Sequence, residues 1–551
     1  MITEEWESFP EWMDALDTLP LAVDIAAMIP HSAVRPYILG VERCNLSDRK
    51  GGPVDNPVTV EEKQAIADCV KEAIAAGAVG FSTSRFTGHR DSTGQLAPGS
   101  LADADEMIMI AKGMAEAGGA MMEMINDFSS YDDIPIPKLD EKLRKEHFER
   151  EQDWIRYVAK EYGIPVNWTD VPTAPGGKGG DNSFMDGCYA DGLPVVRQMI
   201  IRPQSLIFSF RSRMHPFIAT ATFKQIRNQP AHTLGETLSQ QGIREQILGE
   251  YYDLLGGEGL AARITRQSWG PESPRWTRLY PIIAGFDYEP APELSVAGIC
   301  NDNGSSILEF VYDHMLTNDA TGTIWEGGYS DVSRFYNHAH KQLQSPMVIP
   351  GISDAGAHLN MFQDGTSPTT MLSFWTRDRV RGPKLSIEYA VMKQARDTAY
   401  LYGMYDRGTL EVGKKADINI VNMDTLAIEE PVHVHDLPTG APRWDQKVTG
   451  YEYTILNGAV TFENGVHTGA VPGGLVRNGG VPGVKTGALP GAPEWSTNAA
   501  RVATWGEMGA GSSAETALQA SLDSESGISN QSRIAEALEK EEKEKSQAAK
   551  L

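Results

Sequence analysis

The sequence predicts an α/β protein built on a parallel sheet covered by helices. Three observations predict it. Short apolar runs without internal alternation recur along the first two-thirds of the chain. Each is followed by a stretch with apolar residues at helical spacing. From about residue 408 the pattern changes to short β-like runs separated by Asn-Gly pairs. Continuous apolar strands alternating with amphipathic helices are what a sheet buried on both faces requires.

The elements follow in chain order. Residues 33–39 (AVRPYIL) read as a first strand, and 60–76 as a helix with apolar residues on one face. AVGFSTS at 78–84 is a Gly-broken strand, followed by a helix near 102–117 opened by acidic residues that suit its N-terminus. AMMEMI at 120–125 reads as a buried strand, 138–162 as a charged helix and IPVNWT at 164–169 as a strand. A Gly-rich loop at 175–182 precedes the strand LPVVRQMII at 193–201. Residues 204–345 are less regular, with helical stretches at 233–268 and 304–316. PMVIPGI at 346–352 is a strand and 386–403 a helix. These make six strand–helix units, two short of a closed (β/α)8 barrel. An open doubly wound sheet and a barrel whose first two units lie outside this chain both fit. The β-like runs DINIVN (417–422), YTILNGAVTF (453–462) and GVHTGAV (465–471) form a small β module, with hairpin turns at 457–458 and 464–465.

Composition limits the functions. The 551 residues suffice for a full core, and 41% apolar with 22% charged residues is ordinary for a folded chain. Lys and Arg number 49 against 74 Asp and Glu, a net charge of −25. That polyanion disfavours nucleic acid and anionic membranes as partners. The four cysteines form no CxxC pair, which suits thiols in a reducing compartment. The first residues have no basic n-region or apolar h-region, and no run of about 18 apolar residues appears, so the expected location is cytoplasmic.

The densest polar cluster lies at 351–379, directly after the last strand. It places Ser353, Asp354, Gly356 and His358 at a strand's C-terminal end, the active-site face of a barrel. A carboxylate there can bind a metal or move a proton between water and a leaving group; it can also simply cap the next helix. Ser84, Arg85, His89 and Arg90 follow the 78–84 strand and could hold a substrate carboxylate. Asp127 and Asp170 stand at strand ends as ligands or helix caps. With Asp354 they would also permit a metal-free, paired-carboxylate hydrolase. The HxH pairs His338/His340 and His433/His435 have a zinc-chelating form but sit in a helical stretch and in the β module. His215 reads as a positioned loop residue and Cys44 as packing. Residues 175–182 lack a nucleotide-binding signature.

At these residues the chain resembles the N-acyl-D-amino-acid deacylases (D-aminoacylases) of the amidohydrolase superfamily. SDAGAH at 353–358 resembles that family's last-strand SDxGxH, and RDTAYLYGMYDRGTLEVGKKADINIVN at 396–422 its barrel exit. GFSTSR at 80–85 and WESFPEWMDAL at 6–16 are similar as well, and the resemblance spans roughly 4–477. It implies a (β/α)8 barrel beside a small β-sandwich, one or two Zn ions, and hydrolysis of an N-acyl amino acid or related small amide. Asp354 takes the place of the family's general acid/base, and Arg377, Arg379 and His358 are candidates for substrate binding. The family's HxH strand and Cys-ligand strand have no counterpart here, and where its later metal histidines are expected stand Asn126-Asp127 and Thr169-Asp170. The expectation is therefore a barrel lacking its first two strand units over 1–407, part of a β-sandwich over 408–477 and a Pro/Gly-rich loop with an acidic, disordered tail over 478–551. The metal ligands are left unassigned, a homo-oligomer would cover the open strand edges, and a non-catalytic relative is the competing expectation.

Overall fold

The structure is a computed structural model. It describes residues 6–44, 57–86, 89, 96–125, 141–170, 183–203, 206–212, 214–283, 285–328, 331–345, 347–351, 353, 356, 361, 365–437 and 440–478, without the side chains of 141–148, 170, 231, 260 and 264.

Four strands build the N-terminal part of the main sheet, preceded by a short strand outside it. A short strand β1 (Ile25–Ala26) and β2 (Met28–Pro30) lead to β3 (Gly80–Ser84), β4 (Met121–Ile125) and β5 (Val166–Asp170). Between β2 and β3 run helices His31–Leu39 and Val60–Ala76. The first of these is a correction. Residues 33–39 are helical, not a strand, and the strand lies just before, at 28–30. Its buried residues His31, Val34, Arg35 and Leu39 repeat at three-to-four spacing, the helical period. Pro36 sits inside it. Helix Val60–Ala76 matches its expected limits. A reciprocal capping box between Thr59 and Glu62 starts it, and Gly77 stops it in the left-handed region at φ +111°.

After β6 (Val195–Ile200) the chain leaves the sheet. An insert follows, containing β7 (Leu206–Phe208), β8 (Leu279–Pro281) and β9 (Ile324–Glu326), antiparallel in the order β7-β9-β8. Its helices at Ala231–Leu238, Gln241–Gly256, Leu260–Trp269 and Ile307–Ala320 bury a separate core around Phe210, Phe217, Tyr251 and Tyr312. The chain returns through helix Val332–Leu343 to β10 (Val348–Gly351).

The main sheet runs β2-β3-β4-β5-β6-β10, every pair parallel. Its spatial order is the chain order. A doubly wound sheet would reverse direction near its first strand; this one advances steadily, as the wall of a barrel does. Among the described residues β2 and β10 are its two edges. Register and alternation sort its side chains. One face carries Phe81, Met122, Met124, Val166, Trp168, Val195, Met199 and Val348, all buried in the main core with the helices. The other carries Ser82, Ser84, Glu123, Asn167, Thr169, Gln198 and Gly351 together with Met121, Ile125, Val196, Ile200 and Ile349. This inner face mixes apolar and polar residues, and its polar groups must find hydrogen-bond partners.

A small β module closes the described chain: β11 (Ile418–Val421), β12 (Ala427–Ile428), β13 (Val432–Val434), β14 (Arg443–Asp445), β15 (Val448–Thr449), β16 (Tyr451–Leu456), β17 (Ala459–Glu463) and β18 (Val466–His467). The expected Asn-Gly turns are there. Asn457 and Gly458 have φ of 52° and 79°, and Asn464 and Gly465 have 49° and 78°, which matches the strand twist of a two-residue hairpin. The last strand, β19 (Leu475–Val476), pairs parallel with β1, and Arg477 bonds Asp14 and the Ala76 carbonyl at 2.7 and 2.8 Å. No disulfide joins the four cysteines. Among the described residues no helix is long and apolar enough to cross a membrane.

Candidate active site

The C-terminal ends of parallel strands bring Ser84 and Arg85, Ile125, Asp170, Ile200 and Arg202, and Ser353 to one rim. Strand β10 delivers Ser353: Gly351 pairs with Ile200, and two residues later the chain is at the rim. Asp354, His358, Asp127, Asn126 and Arg90 lie outside the described residues, as does the side chain of Asp170.

Below the rim, the inner face holds one polar network. Gln198 Nε2 donates to Glu123 Oε1 at 2.6 Å, and the Tyr402 hydroxyl donates to Glu123 Oε2 at 2.5 Å. Asn167 Nδ2 reaches the Tyr402 oxygen at 3.5 Å. Burial, then the nearby Glu123 charge, push the Tyr402 phenol well above its ordinary range, so it stays a donor. Sequence reading missed this network. Glu123, Asn167 and Gln198 each sit at an inward register position, and a polar residue recurring inside successive apolar strands was the available signal.

The arginines expected to meet a substrate carboxylate bond to other groups of this chain. Arg379 is fully buried. It faces Glu289 with two N–O distances of 3.3 Å, donates to Asn337 Oδ1 and the Pro383 carbonyl at 2.8 Å each, and lies over the Trp375 ring. Arg377 donates to the carbonyls of Met423 and Leu426 and pairs with Asp378, tying the α/β part to the β module. Arg85 is likewise buried, bidentate to Glu151 at 2.6 Å and bonded to the Ala102 carbonyl. Each arginine binds a carboxylate or carbonyl of this chain, and for buried Arg379 and Arg85 that pairing is what a guanidinium out of water requires.

Nor do the HxH pairs form metal sites among the described residues. His338 and His340 lie on helix Val332–Leu343, where positions two apart face away from each other. His433 and His435 do share a strand face, with ring centroids 5.3 Å apart, and Trp444 packs on His433 at 4.9 Å. Among the described residues no three His, Cys, Asp or Glu side chains converge to hold a metal ion. The described donor set therefore does not fit a zinc shell. Cys44 is buried packing, its thiol donating to the Val41 carbonyl. His215 is buried among Phe210, Phe217 and Phe223 in the insert.

Two features were not expected. Behind β3, His31 bridges Thr83 Oγ1 at 2.8 Å and Glu106 Oε1 at 2.7 Å, with Arg35 3.2 Å from the same carboxylate. Burial lowers the His31 pKa despite Glu106, so the ring is neutral, donating from Nε2 and accepting the Thr83 hydroxyl at Nδ1. At the rim itself, Ser84 Oγ lies 2.6 Å from His89 Nδ1.

With this geometry in view, the comparisons with known proteins can be set beside it. Residues 328–462 match the model of the amidohydrolase family. Two of the curated proteins it is similar to are deacylases of N-acyl-D-amino acids. It is 23% identical to the D-aminoacylase of Alcaligenes xylosoxydans xylosoxydans over 81% of this chain and 72% of that one. It is 22% identical to the N-acyl-D-aspartate deacylase of the same organism, over 81% and 70%. An uncharacterised protein of Mycobacterium tuberculosis is 24% identical over 81% of this chain and 66% of its own length. The chain thus spans about two-thirds to three-quarters of the length of these relatives. A solved D-aminoacylase structure aligns with a TM-score of 0.47 at 17% identity, over 85% of this chain and 74% of that one.

Proposed function

We propose that this chain is a hydrolase of small amides, acting on N-acyl-D-amino acids or close analogues, with Asp354 as its proton-transferring carboxylate. The observation that carries the reading is the match of 328–462 to the amidohydrolase family, since that stretch contains the segment β10 feeds into the rim. A carboxylate there would take a proton from water as it attacks the amide carbon and pass it to the departing amine. Zinc remains part of the proposal only as something to be measured, with His358 as a candidate contact to substrate. We take 1–407 as the barrel-like catalytic unit, 408–477 as the β module and 478–551 as a tail, in a cytoplasmic protein whose partners are small molecules.

The test is amine release from a panel of N-acetyl-D-amino acids by the full chain, with and without chelator and added Zn. Asp354→Asn is expected to slow hydrolysis by about 100-fold or more. No turnover under any condition, or full activity in Asp354→Asn, would sink the reading. The first outcome would favour a non-catalytic relative.

A further inference from the structure

The Ser84–His89 pair comes from the strand-end cluster read as a holder of a substrate carboxylate, and its geometry suits a different chemistry. It lies at the end of β3, on the inner side of the sheet, and Ser84 is in register with Ile125 at the end of β4. A hydroxyl 2.6 Å from an imidazole nitrogen is within reach for nucleophile and base. Both ends are held. The Arg85 amide donates to the Ile125 carbonyl at 2.9 Å, extending the ladder one residue past Ser84. Its side chain is pinned by Glu151. The His89 amide donates to the Phe86 carbonyl, the Ala97 amide to the His89 carbonyl, and the imidazole packs edge-on against Phe86 with centroids 5.0 Å apart.

The buried relay behind β3 makes the contrast. Thr83–His31–Glu106 has the same connectivity, but its members are 7%, 0% and 1% exposed, so no substrate reaches the Thr83 hydroxyl. Ser84 is half-buried and His89 exposed, at the face where a barrel carries its chemistry. A hydrogen bond this exposed adds little to stability.

We propose that Ser84 and His89 form a metal-independent acyl-transfer site for small acyl esters, separate from Asp354. Ser84 Oγ attacks the acyl carbonyl carbon while its proton passes to His89 Nδ1. The bond from that carbon to the leaving oxygen breaks, and the imidazolium returns the proton to the departing alkoxide. Water then attacks the seryl ester with His89 taking its proton, the carboxylic acid leaves, and Ser84 Oγ regains a proton from His89.

The test uses the full chain in chelator with two probes, a fluorophosphonate and p-nitrophenyl acetate. Expected is covalent labelling of Ser84, located by peptide mass spectrometry, with p-nitrophenyl acetate hydrolysis that chelator does not change. Ser84→Ala should abolish both, and His89→Ala should slow both by about 100-fold. Both variants should melt with the parent chain, since neither side chain is in the core. Absence of label at Ser84, or ester hydrolysis unchanged in Ser84→Ala, overturns the site. Those outcomes are independent of the N-acyl-D-amino-acid panel, whose failure would count only against the Asp354 reading.

Discussion

At the scale of single residues, the charges this chain buries are paired, and the pairs are where substitutions will register. Arg379 and Glu289 are the clearest case, 0% and 1% exposed with guanidinium facing carboxylate. Removing one partner strands the other's charge in the core. Arg379→Met is expected to cost about 3–5 kcal/mol in urea unfolding, and Arg379→Met with Glu289→Leu less than the sum of the two single changes. A cost below about 1 kcal/mol would mean the pair is solvated after all. His215 gives a pH prediction. Burial pushes its imidazole down to about 3. The unfolded chain takes up a proton near pH 6.5, while the folded chain resists until about 3. Unfolded protein therefore binds more protons between those values, and stability falls as pH drops through that window, by up to about 1.4 kcal/mol per unit. The urea midpoint followed by tryptophan fluorescence should show that slope, and His215→Phe should flatten it. An unchanged slope would assign acid sensitivity to other groups.

At the scale of elements, close approaches decide outcomes that periodicity leaves open. Gly77 ends its helix at φ +111°, and a Cβ there would stand 2.6 Å from Arg477 Cβ. Gly77→Ala meets strain and a clash together. It should lower stability by about 1 kcal/mol or more and loosen the β1–β19 seam, read as faster amide exchange at Leu475 and Val476. Equal stability would mean Arg477 is not held against the helix end. The same scale shows what patterning supplied. Helix Val60–Ala76 and both Asn-Gly hairpins were legible because local chemistry alone dictates them: a capping box, and two residues able to hold positive φ. The stretch 33–39 was misread because a short apolar run containing proline looks extended. The residues clustered with its Val34 and Leu39, such as Ile29 and Phe81, come from different segments.

At the scale of the molecule, the open question is whether a metal belongs here. Among the described residues no donor cluster forms, yet Asp127, Asp354 and His358 fall outside them. Elemental mass spectrometry of the full chain should find about one Zn per chain if those residues complete a shell, with a melting temperature that drops in chelator. Zinc-free protein with chelator-resistant turnover would exclude a metal-dependent route. The three bodies are meanwhile tied together. Trp375 Nε1 donates to the Ile201 carbonyl at the sheet's rim, and Gln446 in the β module bonds Tyr288 and Thr366. Stability should thus be shared between barrel and module.

By itself the sequence determined the α/β class, five of the six parallel strands, the β module and its turns. Apolar runs and turn residues act over a few positions, and those rules are local. It also pointed to the rim after β10, because a polar cluster following a strand end is visible in one dimension. Only the tertiary structure decided which polar residues share a face. Glu123, Gln198 and Tyr402 are 75 or more residues apart. Arg379 and Glu289 are 90 apart. Whether an arginine serves a substrate or a buried carboxylate depends on what the fold brings against it, and that is settled by long-range packing.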